Sequence, residues 1–252
     1  MHRPWEIYDA LIDAIPANVN VSAAGVGPQW CRVVSSENSM GMAFAFPGTS
    51  RPQVYQGKSF VGAPLREIAE LAKSWNFAEA GIGVAAINAW YAQPEFSEGN
   101  GFVPCTDNAW NRVFHSYSEA VTGKNVSVIG HFPFTPEPLA RAAQLNVLER
   151  RPQEGDYPDP ACEYLLPESD YVFISSSAFV NKTMPRLLQL SRDATTVILG
   201  PSTPLSTRLF ECGVDVITGF VPHDSGELFR CLEEPMHSDM YRYAYRVEQT
   251  RR

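Results

Sequence analysis

Trp5, Ile7, Tyr8, Leu11, Ile12 and Ile15 fall on one face of a helix, and Pro16 to Asn20 break the pattern. Val19 to Val26, Cys31 to Ser35 and Met42 to Phe46 then read as three short strands, separated by Gly-Pro and Glu-Asn-Ser turns. A helix follows from Pro64, with Leu65, Ile68, Leu71, Ala72 and Trp75 on one side. The next helix, from about Phe77 to Tyr91, is rich in Ala and Gly, so another backbone can approach it closely. It is the expected spine of an N-terminal α+β unit. Gln93 to Thr106 is polar, carries Gly, Pro and Asn, and reads as a linker.

After Asp107 the pattern changes to short apolar runs separated by helical segments. Val126 to Gly130, Leu145 to Glu149, Tyr171 to Ser175, Thr195 to Leu199 and Val214 to Thr218 are the strand candidates. Alternation of this kind predicts a parallel sheet covered on both faces, hence a Rossmann-like domain. The fold class is therefore α/β, with a small α+β domain over residues 1–95 and a Rossmann-like domain over residues 107–252. Ligands of such sheets sit at the carboxyl ends of the strands.

Three loops at that edge carry chemistry. The first strand leads into GHFPFTPEPL, where Thr135 and Pro136 pattern as an N-cap and first helical residue. The third leads into SSSAFVNKTM, with Ser175, Ser176, Ser177, Asn181 and Thr183 beside the single cation Lys182. The fourth leads into GPSTPLSTRLFECG, where Thr203 is a predicted N-cap, Pro204 a predicted first helical residue, and Leu205, Leu209 and Phe210 the apolar stripe. A helix start with spare N–H groups and hydroxyls attracts anions, so Gly200 to Thr203 is a candidate anion loop. The plainer reading is a well-capped turn.

Charge narrows the partners. A net charge of −8 over 252 residues, without a basic run, argues against a nucleic-acid surface. No stretch has the apolar length of a membrane span, and the N-terminus carries acids where a signal peptide is hydrophobic. A cytoplasmic location is expected. The five cysteines are odd in number and widely spaced, which fits neither a disulfide framework nor paired zinc knuckles. His131 leaves a strand at the expected cleft, and His223, followed by Asp224, lies after the last strand, so these two are the candidate metal ligands or proton carriers. His115 and His237 lack that placement. There is no HExxH, CxxC, GxSxG or GxGxxG spacing, so a tight zinc site, hydrolase chemistry and a tightly held pyrophosphate are not expected.

EAGIGVAAINA (79–89), NVLERRPQEGDYPDPACEYLLPESDYVFISSSAFVNKT (146–183) and GPSTPLSTRLFECGVDVITG (200–219) together resemble the family of heavy-metal chelation proteins. Members pair a domain like the N-terminal domain of enolase with a Rossmann-like domain. The resemblance implies a ligand site in the cleft between them, built from Asn88, Glu149 and Arg150, Asn181 to Thr183, and Gly200, Pro201, Ser202, Thr203 and Pro204. Ser175 to Ser177 stand where the family pattern leads one to expect a Thr-Gly-Thr turn.

The leading expectation is a protein that binds an anionic small molecule or metal chelate, the metal arriving with its chelator or held weakly by one or two imidazoles. The alternative is a transferase or lyase that uses a nucleotide-like cofactor, with Glu149 on a ribose. A non-catalytic carrier is a third. A small-molecule ligand is the expected partner, and homodimerisation is left open.

Overall fold

The computed structural model describes residues 4–48, 51–233 and 238–251. Helix α1 (Glu6–Asp13) buries Ile7, Tyr8, Leu11 and Ile12, the stripe read from the sequence. Strands β1 (Val21–Val26), β2 (Trp30–Ser35) and β3 (Met40–Phe44) form an antiparallel sheet in the order β1-β2-β3. Helix α2 (Leu65–Ala69) continues as a 3-10 turn to Lys73, and α3 (Phe77–Tyr91) lies across the sheet with twelve of its fifteen residues buried.

The amino end of α3 is fixed by Asn76, whose side chain accepts the Glu79 N–H at 3.3 Å. Glu79 is itself buried, and its carboxylate accepts from the N–H groups of Val54 and Tyr55 and from the Ser74 hydroxyl. This acid is fully bonded, as a buried carboxylate must be. On the sheet side the spine needs a residue without a side chain at Gly41 of β3. A Cβ there would stand 2.0 Å from the Ala85 carbonyl oxygen and 2.1 Å from the Ala89 nitrogen.

The second sheet has eight strands: β4 (Val103–Pro104), β5 (Asn125–Ile129), β6 (Gln144–Glu149), β7 (Tyr157–Pro158), β8 (Tyr171–Ser175), β9 (Thr195–Leu199), β10 (Val216–Pro222) and β11 (Ala244–Thr250). Their order is β4-β11-β10-β9-β8-β5-β6-β7, with β10 to β7 parallel and β11 and β4 antiparallel. Counted from β5, the parallel strands follow the 3-2-1-4-5-6 order of a Rossmann sheet. Helices α5 (Cys162–Leu165), α6 (Ser177–Asn181), α7 (Met184–Leu190), α8 (Arg208–Glu211) and α9 (Ser225–Cys231) cover it.

Three local expectations are corrected. The stretch read as a linker holds a helix, α4 (Pro94–Gly99), and a strand, β4, which pairs with β11. Pro94 starts that helix, where its missing N–H costs nothing. Thr135 and Pro136 cap no helix, since the β5–β6 connection is made of turns around the buried Leu139. Thr203 and Pro204 start no helix either: α8 begins only at Arg208 and runs four residues. Strands β4, β7 and β11 were not foreseen.

One apolar core runs through both sheets. Tyr8, Leu65 and Val84 share a buried cluster with Phe179, Leu205 and Ile217. A second contact joins Trp30, Met40 and Met42 of the small sheet to Phe220, Leu228 and Leu232. Arg32 closes this seam, donating to the Phe229 carbonyl at 2.9 Å with its guanidinium over the Phe229 ring.

Candidate functional site

The chain leaves β5 toward β6 on one side and later returns to β8 on the other. The crevice between the carboxyl ends of β5 and β8 is thus the switch point where open α/β sheets bind ligands. His131 follows β5, and Ser175 to Ser177 end β8 and begin α6.

At the β5 exit, the Glu149 carboxylate at the end of β6 accepts the His131 N–H at 3.1 Å with one oxygen and the Arg151 N–H at 3.0 Å with the other. Glu149 therefore ties two chain segments together, each oxygen holding one backbone N–H and keeping a second lone pair. The His131 ring meets Asp156, with Nδ1 2.9 Å from a carboxylate oxygen. Asp156 also accepts the Gln153 N–H at 2.9 Å, and its side chain is 4% exposed against 27% for the imidazole. An ionised carboxylate can only accept, so the neutral ring carries its hydrogen on Nδ1 and its lone pair on Nε2. A carboxylate behind an imidazole fixes tautomer and orientation, the arrangement of a proton carrier or a metal ligand.

The β8 and β9 exits differ. The Ser175 and Ser177 hydroxyls bond each other at 2.9 Å, and the Ser176 N–H donates to the Leu199 carbonyl at 2.8 Å. Gly200 has φ +125°, and a Cβ on it would fall 2.6 Å from the Ser176 hydroxyl, so the two exits touch. Ser202 is buried and its hydroxyl oxygen accepts the Phe44 N–H at 2.9 Å, which ends β3 against this loop. The buried Thr203 donates its hydroxyl to the Gly200 carbonyl at 2.7 Å and its N–H to the same oxygen at 3.1 Å. Pro201 and Pro204 have no N–H to offer. The loop is thus poorer in spare donors than its sequence suggests.

Of the remaining expected site residues, Asn88 is buried in α3 and donates its Nδ2 to the Met42 carbonyl at 2.8 Å, while its Oδ1 has no partner. Asn181 Oδ1 accepts from the Thr183 N–H and hydroxyl, a local turn that leaves the Asn181 NH2 for other partners. Arg150 is exposed. His223 is exposed and three strand positions from His131, roughly 14 Å at the usual spacing, so the two imidazoles do not converge. His223 instead lines a polar cavity of about 310 Å³ with Glu37, Ser39, Glu95 and Asp224. Asp224 is the N-cap of α9, accepting the Glu227 N–H at 3.0 Å. His115 lies in a 3-10 turn, and His237 lies outside the described residues. Among the described residues, no group of three or more His, Cys, Asp and Glu is placed to hold a metal.

Asp156 escaped the sequence reading. It sits in a polar turn, RPQEGDYP, where nothing marks a partner twenty-five residues back. Only the parallel pairing of β5 with β6 and β6 with β7 brings the two together.

The match to known families fits this two-sheet architecture. Residues 112–250 match the family model DUF364 and residues 8–91 the model DUF4213, both described as "Putative heavy-metal chelation". A crystal structure of a DUF364-family protein of unknown function from Desulfitobacterium hafniense is 38% identical over 98% of both chains, with a TM-score of 0.89. The chain belongs to this family. A DUF364-family protein of unknown function from Pyrococcus horikoshii, 20% identical over 98% of this chain and 99% of its own, has a TM-score of 0.79 and shows the same fold. Among curated proteins none matches. No helix among the described residues is long and apolar enough to cross a membrane.

Proposed function

We propose that the crevice between the carboxyl ends of β5 and β8 binds an anionic small molecule in the form of a metal chelate, in keeping with the family's description as heavy-metal chelation. The observation that carries the reading is the His131–Asp156 pair at the switch point, which presents one oriented imidazole outside any group of three or more His, Cys, Asp and Glu among the described residues. A bare ion held by protein alone wants about four protein ligands. One imidazole suits a metal whose other positions a chelator fills.

The chelate's anionic groups would meet neutral donors and one cation. Ser202 keeps its hydroxyl proton because its oxygen is the acceptor toward Phe44. The Asn181 NH2 and the Arg150 guanidinium complete the set, and the buried Oδ1 of Asn88 is the acceptor of the N-terminal unit. In this reading Glu149 ties backbone N–H groups together at the rim of the crevice, one on each oxygen, and the ligand is met by other groups.

Calorimetric titration tests the reading with bare Zn²⁺, Ni²⁺ and Co²⁺ against nickel nitrilotriacetate, whose chelator leaves coordination positions open. The chelate should bind more tightly than any bare ion, and His131→Ala should remove that binding. Tight stoichiometric binding of a bare ion, lost in His131→Ala, would make the protein itself the chelator.

A further inference from the structure

A second cavity, of about 240 Å³, opens at the junction of α1, the α2–α3 connection and α7, lined by Pro4, Trp5, Tyr8, Trp75, Lys182 and Pro185. We infer that this cavity is a binding site for a compact carboxylate with a flat apolar body, the rings taking the body and the Lys182 ammonium the carboxylate. None of these six residues is used in the reading of the His131 crevice, and the site does not rest on that reading.

Three independent features converge on it. First, the walls are rings stacked edge to face: Trp5 lies 5.5 Å from Tyr8 and 6.0 Å from Trp75, centroid to centroid. Trp75 is 57% exposed, so much of its apolar surface stays open. Second, the one charge on the lining is Lys182, whose Nζ lies 5.7 Å above Trp75 and 5.3 Å above Phe77. Among the described residues no carboxylate pairs with it, and the shift of its amine comes from burial alone, down to about 8. Third, Lys182 holds a left-handed backbone, φ +66°, between α6 and α7. That conformation costs a residue with a Cβ roughly 1–2 kcal/mol, and here it sets the amine over the rings.

The donor inventory selects the ligand's charge. The ammonium has three N–H groups, and one goes to the Val180 carbonyl at 2.9 Å. Two remain for a guest. The Tyr8 hydroxyl is already engaged, donating to the Phe179 carbonyl at 2.8 Å. Apolar walls with one convergent polar group are the usual make-up of a small-molecule pocket. A cationic guest would face like charge, and a neutral amide could accept a hydrogen bond from the ammonium but would forgo the attraction of opposite charges.

The test is calorimetric titration of the full chain with phenylacetate, 2-phenylacetamide and phenethylamine. Phenylacetate should bind about tenfold more tightly than the amide, since both accept a hydrogen bond from the ammonium and only the carboxylate adds the attraction of opposite charges at a partly buried site. Phenethylamine should not bind. Lys182→Met should erase the preference for the carboxylate, and Trp75→Ala should weaken both aromatic guests. The wild-type protein supplies a measurement that needs no variant. With the amine held near 8, phenylacetate affinity should fall as pH rises between about 7 and 9, whereas an ordinary lysine stays charged to about 10. Equal affinity for phenylacetate and its amide, or binding unchanged in a folded Lys182→Met, would overturn the assignment. So would no detectable binding of phenylacetate at about 10 mM.

Discussion

The exits of β5 and β9 look alike in sequence and differ in what they have left to give. Each leaves a parallel strand through a glycine into a loop that carries at least two prolines and a threonine. At the β9 exit, Ser202 and Thr203 are buried, and their hydroxyls hold Phe44 and Gly200. At the β5 exit, Glu149 does the holding, which frees His131 to pair with Asp156 and keep Nε2 in reserve. The difference lies in which group satisfies the backbone. Where a hydroxyl does so, it is a strut; where a neighbouring carboxylate does so, the side chain that follows stays available to a ligand.

The largest expected effect falls on the strut side. Gly200→Ala forces a Cβ onto φ +125° and to within 2.6 Å of the Ser176 hydroxyl. Backbone strain of about 1–3 kcal/mol and a similar overpacking term should together lower stability by roughly 2–5 kcal/mol. Urea unfolding would show it as a lower midpoint at unchanged m-value. A variant as stable as the parent would mean that the two exits are loose enough to part, and the contrast would fail.

A smaller loss is expected from Ser202→Ala, which strands the Phe44 N–H against an apolar methyl group. An unpaired buried donor costs about 1–3 kcal/mol. The same variant sharpens the comparison, because the hydroxyl has one proton to spare. If chelate binding by the folded variant stays at the parent's level, Ser202 is a strut alone. If binding falls by more than the stability loss explains, the residue is both strut and ligand.

Much of this architecture was legible in the chain. The stripe of α1, the small-residue spine of α3 and the strands β5, β6, β8 and β9 were marked by apolar period, with β8 and β9 read to the residue. Strands β4 and β7 are two residues each, too short for any period, and β11 alternates weakly in AYRVEQT. The site was less legible for a different reason. Thr203 before Pro204 is a sound helix start by local rules, yet Leu205 is drawn into the core, 1% exposed, and the helix begins only at Arg208. Local propensity yielded to a tertiary contact. Likewise, neither Asp156 behind His131 nor the commitment of both Glu149 oxygens could be read from spacing, since each depends on strands meeting side by side.

The smallest expected effect on stability, and the cleanest probe of the β5 side, is Arg150→Ala. Arg150 follows Glu149 at the end of β6 and is exposed. Exposed substitutions away from caps and networks change stability by about 0.5 kcal/mol or less, so thermal unfolding should be unaltered. Binding is another matter. A guanidinium beside an anionic chelate contributes through space as well as by contact, and that contribution is screened by salt. The variant should therefore bind nickel nitrilotriacetate several-fold more weakly at low ionic strength, with the gap narrowing as salt is raised toward about 1 M, where the screening length is about 3 Å. Loss of stability with binding intact would place Arg150 among the struts and erase the distinction between the two exits. Loss of binding at constant stability, vanishing in salt, would fix the β5 side as the one that meets the ligand's charge.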